Sequence, residues 1–258
     1  MVPLHAAKPA PGRWLSRWAL LSCALVAAPR PASAIPIPEL SFGGNLAVTS
    51  EFIYRGLSES AGSPAVQADL HADTPGGAFG GVWASTRDHG LDPYAGYDLE
   101  VYVGHRLELG SAWAASLTAR SRYFGRTQEL SDDYQQFSGT LLWMDRWALS
   151  LSVIPNAPRY WYERRISRGP AWVADTTGQW LLGRGLFLTG GAGYYRSTGT
   201  GPGRFAATGY GYGNAGLALE WRRWRVDVGY FLAQKQAAEV SSYPSADHHF
   251  AGTLSWRF

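Results

Sequence analysis

The sequence predicts an all-β fold, a transmembrane antiparallel β-barrel of twelve strands that follows an N-terminal signal peptide. Short segments of alternating apolar and polar residues recur along the chain, and tight turns alternate with longer loops between them. No stretch after residue 34 is apolar for the roughly 20 residues that a transmembrane helix needs. A closed barrel also satisfies every backbone hydrogen bond within lipid. The predicted domains are a cleaved signal peptide, 1–34, and an outer-membrane barrel, 35–258.

The first 34 residues have the composition of an export signal. Basic residues precede an apolar run over 18–28, and Ala32-Ser33-Ala34 provides small residues for cleavage. We expect the mature chain to begin near Ile35. A lipid attachment site at Cys23 is the alternative, although only a few apolar residues precede this cysteine.

Removal of this segment changes the charge balance. The chain has 23 Lys and Arg against 20 Asp and Glu, a net charge of +3, and residues 1–34 hold four of the basic residues and no acidic one. The mature chain therefore has 19 basic and 20 acidic residues, a net charge of −1. This balance argues against nucleic-acid binding. Cys23 is the only cysteine, so the mature chain can form no disulfide.

The strand segments and their connections predict the topology. The clearest alternating segments are 46–54, 66–72, 99–107, 113–123, 147–153 and 224–232. The predicted tight turns are 74–77, 108–111, 144–146, 183–184 and 222–223. The predicted longer loops are 56–63, 88–96, 125–132, 155–170, 197–208 and 236–246. Outer-membrane barrels have short periplasmic turns and longer extracellular loops, so the tight turns are expected on the periplasmic side.

Residues 250–258 alternate between apolar and polar side chains up to the final Phe258. This ending resembles the last strand of bacterial outer-membrane barrels, whose terminal Phe is read by the barrel-assembly machinery. The resemblance implies export to the outer membrane of a Gram-negative bacterium, with membrane lipid and lipopolysaccharide as surroundings.

Aromatic residues concentrate near both ends of the predicted strands. One predicted girdle comprises Trp113, Trp143, Trp147, Trp180, Trp221, Trp224, Trp256 and Phe258, near the tight turns and the C-terminus. A second group, near the longer loops, comprises Tyr54, Tyr97, Tyr123, Tyr134, Tyr194, Tyr195, Tyr210 and Tyr230. Such residues favour the boundary between acyl chains and headgroups. The alternative is that aromatic residues simply favour strands.

Alternation also assigns side chains to the lumen. The predicted pore-lining residues are Glu51, Arg55, Gln67, Asp69, Asp98, Glu100, Arg106, Arg120, Arg122, Asp175, Gln179, Arg225 and Asp227. An Arg facing lipid at the midplane would cost about 2–4 kcal/mol, which supports this assignment. For the first strand it assumes that Phe52 and Tyr54 face lipid. In the third strand the face is ambiguous, because Phe79, Gly81 and Trp83 alternate with the apolar Val82 and Ala84.

A charged lumen favours a passive channel for small polar or charged solutes, with no catalysis, metal or cofactor. Two alternative functions stay open, as does the role of one basic loop. Paired charges can fill a plugged barrel that serves structure or adhesion. A lipase-like or protease-like enzyme could use rim residues, of which Asp247 and His249 can share one face whereas His248 cannot. In the loop 155–170, Arg159, Arg164, Arg165 and Arg168 could capture phosphate or carboxylate groups, unless the strands extend there and form a solvated basic ridge.

Three segments, 50–58, 64–67 and 81–85, resemble the N-terminal motif of the TorF family, a group of proteobacterial outer-membrane proteins named as candidate porins. The fourth strand departs from the family pattern, since its acidic pair is in swapped order in Asp98-Leu99-Glu100 and His105 replaces an aromatic residue. The resemblance implies a porin that passes small polar solutes, and it does not fix the solute.

Overall fold

The computed structural model describes residues 39–87, 96–125, 133–161, 164–200, 206–240 and 248–258. The predicted signal peptide, 1–34, lies outside these residues. The strands are β1 (Ser41–Thr49), β2 (Ile53–Tyr54), β3 (Leu57–Ser58), β4 (Ala65–Asp73), β5 (Ala78–Arg87), β6 (Gly96–Glu108), β7 (Trp113–Gly125), β8 (Tyr134–Trp143), β9 (Trp147–Trp161), β10 (Arg164–Gly183), β11 (Leu186–Thr200), β12 (Ala206–Trp221), β13 (Trp224–Ala233) and β14 (His248–Arg257). A short 3-10 helix, Lys235–Glu239, precedes β14. Across the described ranges there is no helix with the length and apolar character for a bilayer crossing.

Twelve of the strands form one closed barrel, which confirms the predicted fold. Strands β4 to β14 pair antiparallel in chain order, and β1 pairs with both β4 and β14 to close the ring. Turns of two to four residues join alternate pairs at one end, called here the turn end. Two of them have positive φ at successive residues, Met144 with Asp145 and Arg184 with Gly185, as tight hairpins between twisted strands require.

The two faces of the barrel differ in polarity. Large apolar side chains are exposed on the outer face, among them Leu70, Val103, Leu117, Leu151 and Val228. Their neighbours along each strand point inward, and many are buried and polar, such as Thr49, Ser85, Ser138 and Ser152. An apolar exterior and a polar interior are expected of a barrel that has lipid outside it.

The first predicted strand is wrong in its second half. Strand β1 ends at Thr49, and residues 50–64 turn into the barrel, where β2 and β3 form a small hairpin. Arg55 and Gly56 have φ of 52° and 76°, the conformation of a two-residue hairpin turn. Phe52 is only 6% exposed, so neither it nor Tyr54 faces lipid. We call residues 50–64 the lumen hairpin.

The predicted loop 155–170 is also wrong, because β9 continues to Trp161 and β10 begins at Arg164. Extension of these strands was the alternative interpretation. Pro170 lies at a bulge between Gly169 and Ala171, where the missing N–H is tolerated. Arg168 donates to the carbonyl oxygens of Asp133 and Asn156. The side chains of Arg159, Arg164 and Arg165 lie outside the described ones.

The seam that closes the barrel depends on close contact at Gly44. The backbone of Gly44 exchanges two 3.1 Å hydrogen bonds with Phe258. A Cβ at Gly44 would overlap the Phe258 ring and stand 2.8 Å from the carbonyl oxygen of Asp69. The seam therefore has no space for a side chain at this position.

We expect Gly44→Ala to lower the free energy of unfolding by about 1–3 kcal/mol, the usual cost of overpacking. Gly139→Ala is the matched control, because a Cβ there would have only the Leu117 Cδ2, at 3.7 Å, as a neighbour. Urea titration of vesicle-reconstituted protein measures both. Equal stability of the two variants would contradict a tightly packed seam.

Candidate functional site in the barrel lumen

All thirteen predicted pore-lining residues lie at inward-facing positions of the wall strands or in the lumen hairpin. Glu51 and Arg55 were predicted on the first wall strand, but they belong to the lumen hairpin. The third strand, β5, resolves the ambiguity of the sequence: Phe79, Gly81 and Trp83 point inward, and Val82 points outward. The role of these residues in a pore stays a prediction.

A buried ion pair joins two wall strands near the loop end, the end opposite the tight turns. Arg122 Nε on β7 donates to both carboxylate oxygens of Asp98 on β6, at 2.9 and 2.8 Å. The side chains are 3% and 0% exposed. Arg122 also donates to the Tyr134 hydroxyl at 3.0 Å, and its guanidinium lies 4.0 Å from the Tyr54 ring centre. Burial makes this pair a fixed structural element, because either charge alone would be costly there.

A second polar cluster lies one inner position further along the same strands. Arg120 Nη1 is 3.2 Å from Glu100 Oε1. The Tyr102 hydroxyl donates to Asp69 at 2.8 Å, and His71 Nδ1 lies 2.7 Å from the other oxygen of that carboxylate. Compared with Arg122, the Arg120 side chain is more open, at 30% exposure. This cluster is therefore more accessible from the lumen than the Asp98–Arg122 pair.

The lumen hairpin contacts widely separated parts of the wall. Arg55 Nη2 donates to Gln136 Oε1 on β8 at 2.8 Å, while Glu59 forms an ion pair with Arg87 on β5. At the tip, a Cβ on Gly56 would stand 2.8 Å from the carbonyl oxygen of Leu232 on β13. Since these strands lie on different sides of the ring, the hairpin crosses the lumen and narrows it at the loop end.

Toward the turn end the lumen stays polar. Arg225 forms ion pairs with Asp227 at 2.8 Å and Glu220 at 2.7 Å, and its Nη1 lies 3.3 Å from Gln179. A cavity of about 370 Å³ borders this group. Arg106 pairs with Glu108 and Asp145, each at 2.7 Å. Further from the turn end, Asp175 accepts a hydrogen bond from the Tyr212 hydroxyl.

A cavity of about 350 Å³ lies between the lumen hairpin and strands β4 to β7. We call it the aromatic cavity. Its lining residues are Phe52, Tyr54, Asp69, Phe79, Trp83, Glu100, Tyr102, Thr118, Arg120 and Arg122. Sequence analysis left Phe79 and Trp83 ambiguous, because their strand has two apolar faces. It assigned Phe52 and Tyr54 to lipid, and it did not single out Tyr102.

The predicted tryptophan girdle lies next to the tight turns. Adjacent pairs are in ring contact, with centroid distances of 6.3 Å for Trp113 and Trp143, 4.2 Å for Trp147 and Trp180, 6.4 Å for Trp224 and Trp256, and 5.0 Å for Trp256 and Phe258. Trp221 faces Trp224 across β12 and β13. Their role as a lipid-interface belt stays a prediction.

The predicted tyrosine girdle is wrong for half of its members. The outward-facing tyrosines are Tyr97, Tyr123, Tyr194 and Tyr230. The inward-facing ones are Tyr54, Tyr134, Tyr195 and Tyr210. Tyr54, Tyr134 and Tyr195 pack around Arg55 and Arg122, since cations are attracted to ring faces, and Tyr210 contacts the Tyr195 ring. Position along the chain predicted the height of each tyrosine in the barrel but not its face.

The rim histidines point to opposite faces. His249 Nδ1 lies 2.9 Å from Glu51 Oε1, and both side chains are largely buried. His248 is exposed and stacks on Tyr230. Asp247, the other member of the alternative catalytic pair, lies outside the described residues.

Comparisons with known proteins agree with the fold. The model of a family described as "Bacterial protein of unknown function (Gcw_chp)" matches residues 33–148. No curated protein matches the sequence. The barrel is similar to a solved NanC porin at 9% identity, over 83% of this chain and 98% of that one, with a TM-score of 0.52. It is also similar to a KdgM porin in complex with disordered oligogalacturonate, at 8% identity, over 84% and 99% of the two chains, with a TM-score of 0.50.

Proposed function

We propose that this protein is an outer-membrane channel for the passive diffusion of small polar or charged solutes. The observation that carries the proposal is a closed twelve-stranded barrel whose outer face is apolar and whose inner face carries opposed carboxylates and guanidinium groups. Charge arrays of this kind select solutes by sign and size in channels. The similar porin folds support the proposal.

The proposal extends to the surroundings of the protein. Residues 1–34 serve as a cleaved signal peptide, and the C-terminal strand is the contact for the barrel-assembly machinery. Membrane lipid and lipopolysaccharide surround the apolar belt, and the family is the TorF family of candidate porins. The lumen passes solutes without chemistry and without a cofactor.

A plugged structural barrel is the second candidate, and the lumen hairpin favours it. The hairpin contacts β5, β8 and β13, so it blocks at least part of the cross-section. Conductance of the refolded mature protein in a planar bilayer distinguishes the two candidates. Discrete current steps support the channel, whereas a folded, heat-modifiable barrel without current supports the plug.

If the channel is open, Arg120→Gln is expected to shift selectivity toward cations. Arg120 is the partly exposed cation of the polar cluster around Glu100 and Asp69, and its loss leaves the negative charge of these two carboxylates less neutralised. The reversal potential under a tenfold salt gradient measures the shift.

Arg184→Gln is the matched control, because Arg184 lies in the turn between β10 and β11, outside the lumen. We expect its reversal potential to match the unmodified protein. If Arg120→Gln also leaves the reversal potential unchanged, Arg120 and its neighbouring carboxylates do not border the path of the ions.

A further inference from the structure

Aromatic side chains interrupt the polar lining of the lumen at the aromatic cavity. Phe79 and Trp83 on β5 and Tyr102 on β6 point inward, and Phe52 and Tyr54 of the lumen hairpin complete the group. Water-filled barrel interiors are lined mainly by polar residues, because apolar surface in contact with water is unfavourable. Phe52 packs on Trp83 with ring centres 5.5 Å apart. These two rings therefore anchor the lumen hairpin to the wall. Phe79 and Tyr102 need another explanation.

Two inward-facing glycines leave room for the rings of Phe79 and Tyr102 over the neighbouring strand. A Cβ at Gly81 would stand 2.5 Å from the Tyr102 hydroxyl oxygen, and a Cβ at Gly104 would overlap the Phe79 ring. The two ring centres are 6.4 Å apart with an interplanar angle of 56°. Both rings line the aromatic cavity, so they offer it two neighbouring aromatic surfaces that are inclined to one another. We call these two rings the aromatic platforms.

Hydrogen-bonding groups surround these platforms. Asp69 and Glu100 line the same cavity, and their carboxylates can accept hydrogen bonds beyond those from Tyr102 and Arg120. The buried Nε of Arg120 has no acceptor among the residues that the structure describes. A pyranose ring has the complementary chemistry, since its C–H groups form an apolar face and its hydroxyl groups both donate and accept.

Charge and size narrow the class of solute. Two carboxylates, Asp69 and Glu100, and two guanidinium groups, Arg120 and Arg122, line the cavity, and the buried Asp98 behind them neutralises Arg122, so an anion gains little here. Asp98 already holds Arg122. A cavity of about 350 Å³ lies at the small end of the range for ligand sites. We propose that it binds a neutral saccharide of one or two pyranose rings during passage, which rests on the proposed channel function and names its substrate class.

Titration calorimetry of the refolded mature protein tests this binding directly, in a detergent without a sugar headgroup. The probes are glucose, maltose, the anionic sugar galacturonate and the organic cation choline. We expect maltose or glucose to bind, with galacturonate and choline at least threefold weaker. The proposal is overturned if neither neutral sugar binds, or if either charged probe binds more tightly.

Variants then locate the site. Phe79→Leu keeps an apolar side chain but removes the ring face, and we expect about three- to tenfold weaker sugar binding, the range for loss of one aromatic contact. Phe137→Leu on the outer face of β8 is the matched control and is expected to bind like the unmodified protein. Both must be heat-modifiable barrels. Equal affinity of the two variants would overturn the assignment to this cavity.

Conductance separates this inference from the proposed function. A protein that conducts but binds no neutral sugar remains a channel without this site. A protein that binds maltose but never conducts retains the site and loses the channel function.

Discussion

Removal of the lumen hairpin is expected to raise single-channel conductance severalfold while the barrel still folds. Thr49, the last residue of β1, pairs with Ala65, the first residue of β4, so the two ends of the lumen hairpin lie side by side. Paired residues on antiparallel strands lie about 4.5–5.5 Å apart, a distance that a two-residue Asn-Gly turn can close. Replacement of residues 50–64 by Asn-Gly therefore keeps the wall and removes the segment that crosses the lumen. Planar-bilayer recordings at fixed salt concentration measure the effect.

A graded variant serves as control for this deletion. Arg55→Ala removes the 2.8 Å hydrogen bond to Gln136 but keeps the hairpin, so we expect a smaller rise or more frequent current fluctuations. Heat modifiability on gels confirms that each variant has folded. Unchanged conductance after the deletion would show that the hairpin does not limit the pore.

Asp98→Asn is expected to lower the free energy of unfolding by about 3–5 kcal/mol, the cost of breaking a buried ion pair by removal of one partner. The change leaves the Arg122 guanidinium, only 3% exposed, without its counter-charge. Adjacent Tyr134 and Tyr54 contribute a hydrogen bond and a ring face, which do not neutralise the cation. Urea titration of the protein in vesicles measures the loss.

Two further variants test the cause. Asp145→Asn breaks an ion pair between exposed side chains at the turn end, so we expect a loss of at most about 1 kcal/mol. The double variant Asp98→Asn with Arg122→Gln removes both charges and is expected to recover part of the stability. If the double variant is less stable than Asp98→Asn alone, the uncompensated charge is not the source of the loss.

The sequence by itself determined the barrel. Lipid outside and polar groups inside enforce alternation along every wall strand, so the pattern predicted the closed twelve-stranded sheet, the five tight turns and the inward direction of residues such as Asp98 and Arg120. Short turns are local structures, and therefore their positions follow from nearby residues. The predicted loop 155–170 was wrong, because a bulge accommodates Pro170 within the extended strand pair.

Only the tertiary structure decided whether certain aromatic residues face lipid or the lumen, because their local sequence pattern fits both. Phe52 and Tyr54 have the alternation of a lipid-facing strand, yet they lie inside the barrel. Contacts between residues far apart in sequence decide this, such as Arg55 with Gln136 and Glu59 with Arg87. The same holds for the four inward tyrosines and for Phe79. An aromatic side chain is equally favourable against lipid or in a packed lumen, so alternation alone cannot assign its face.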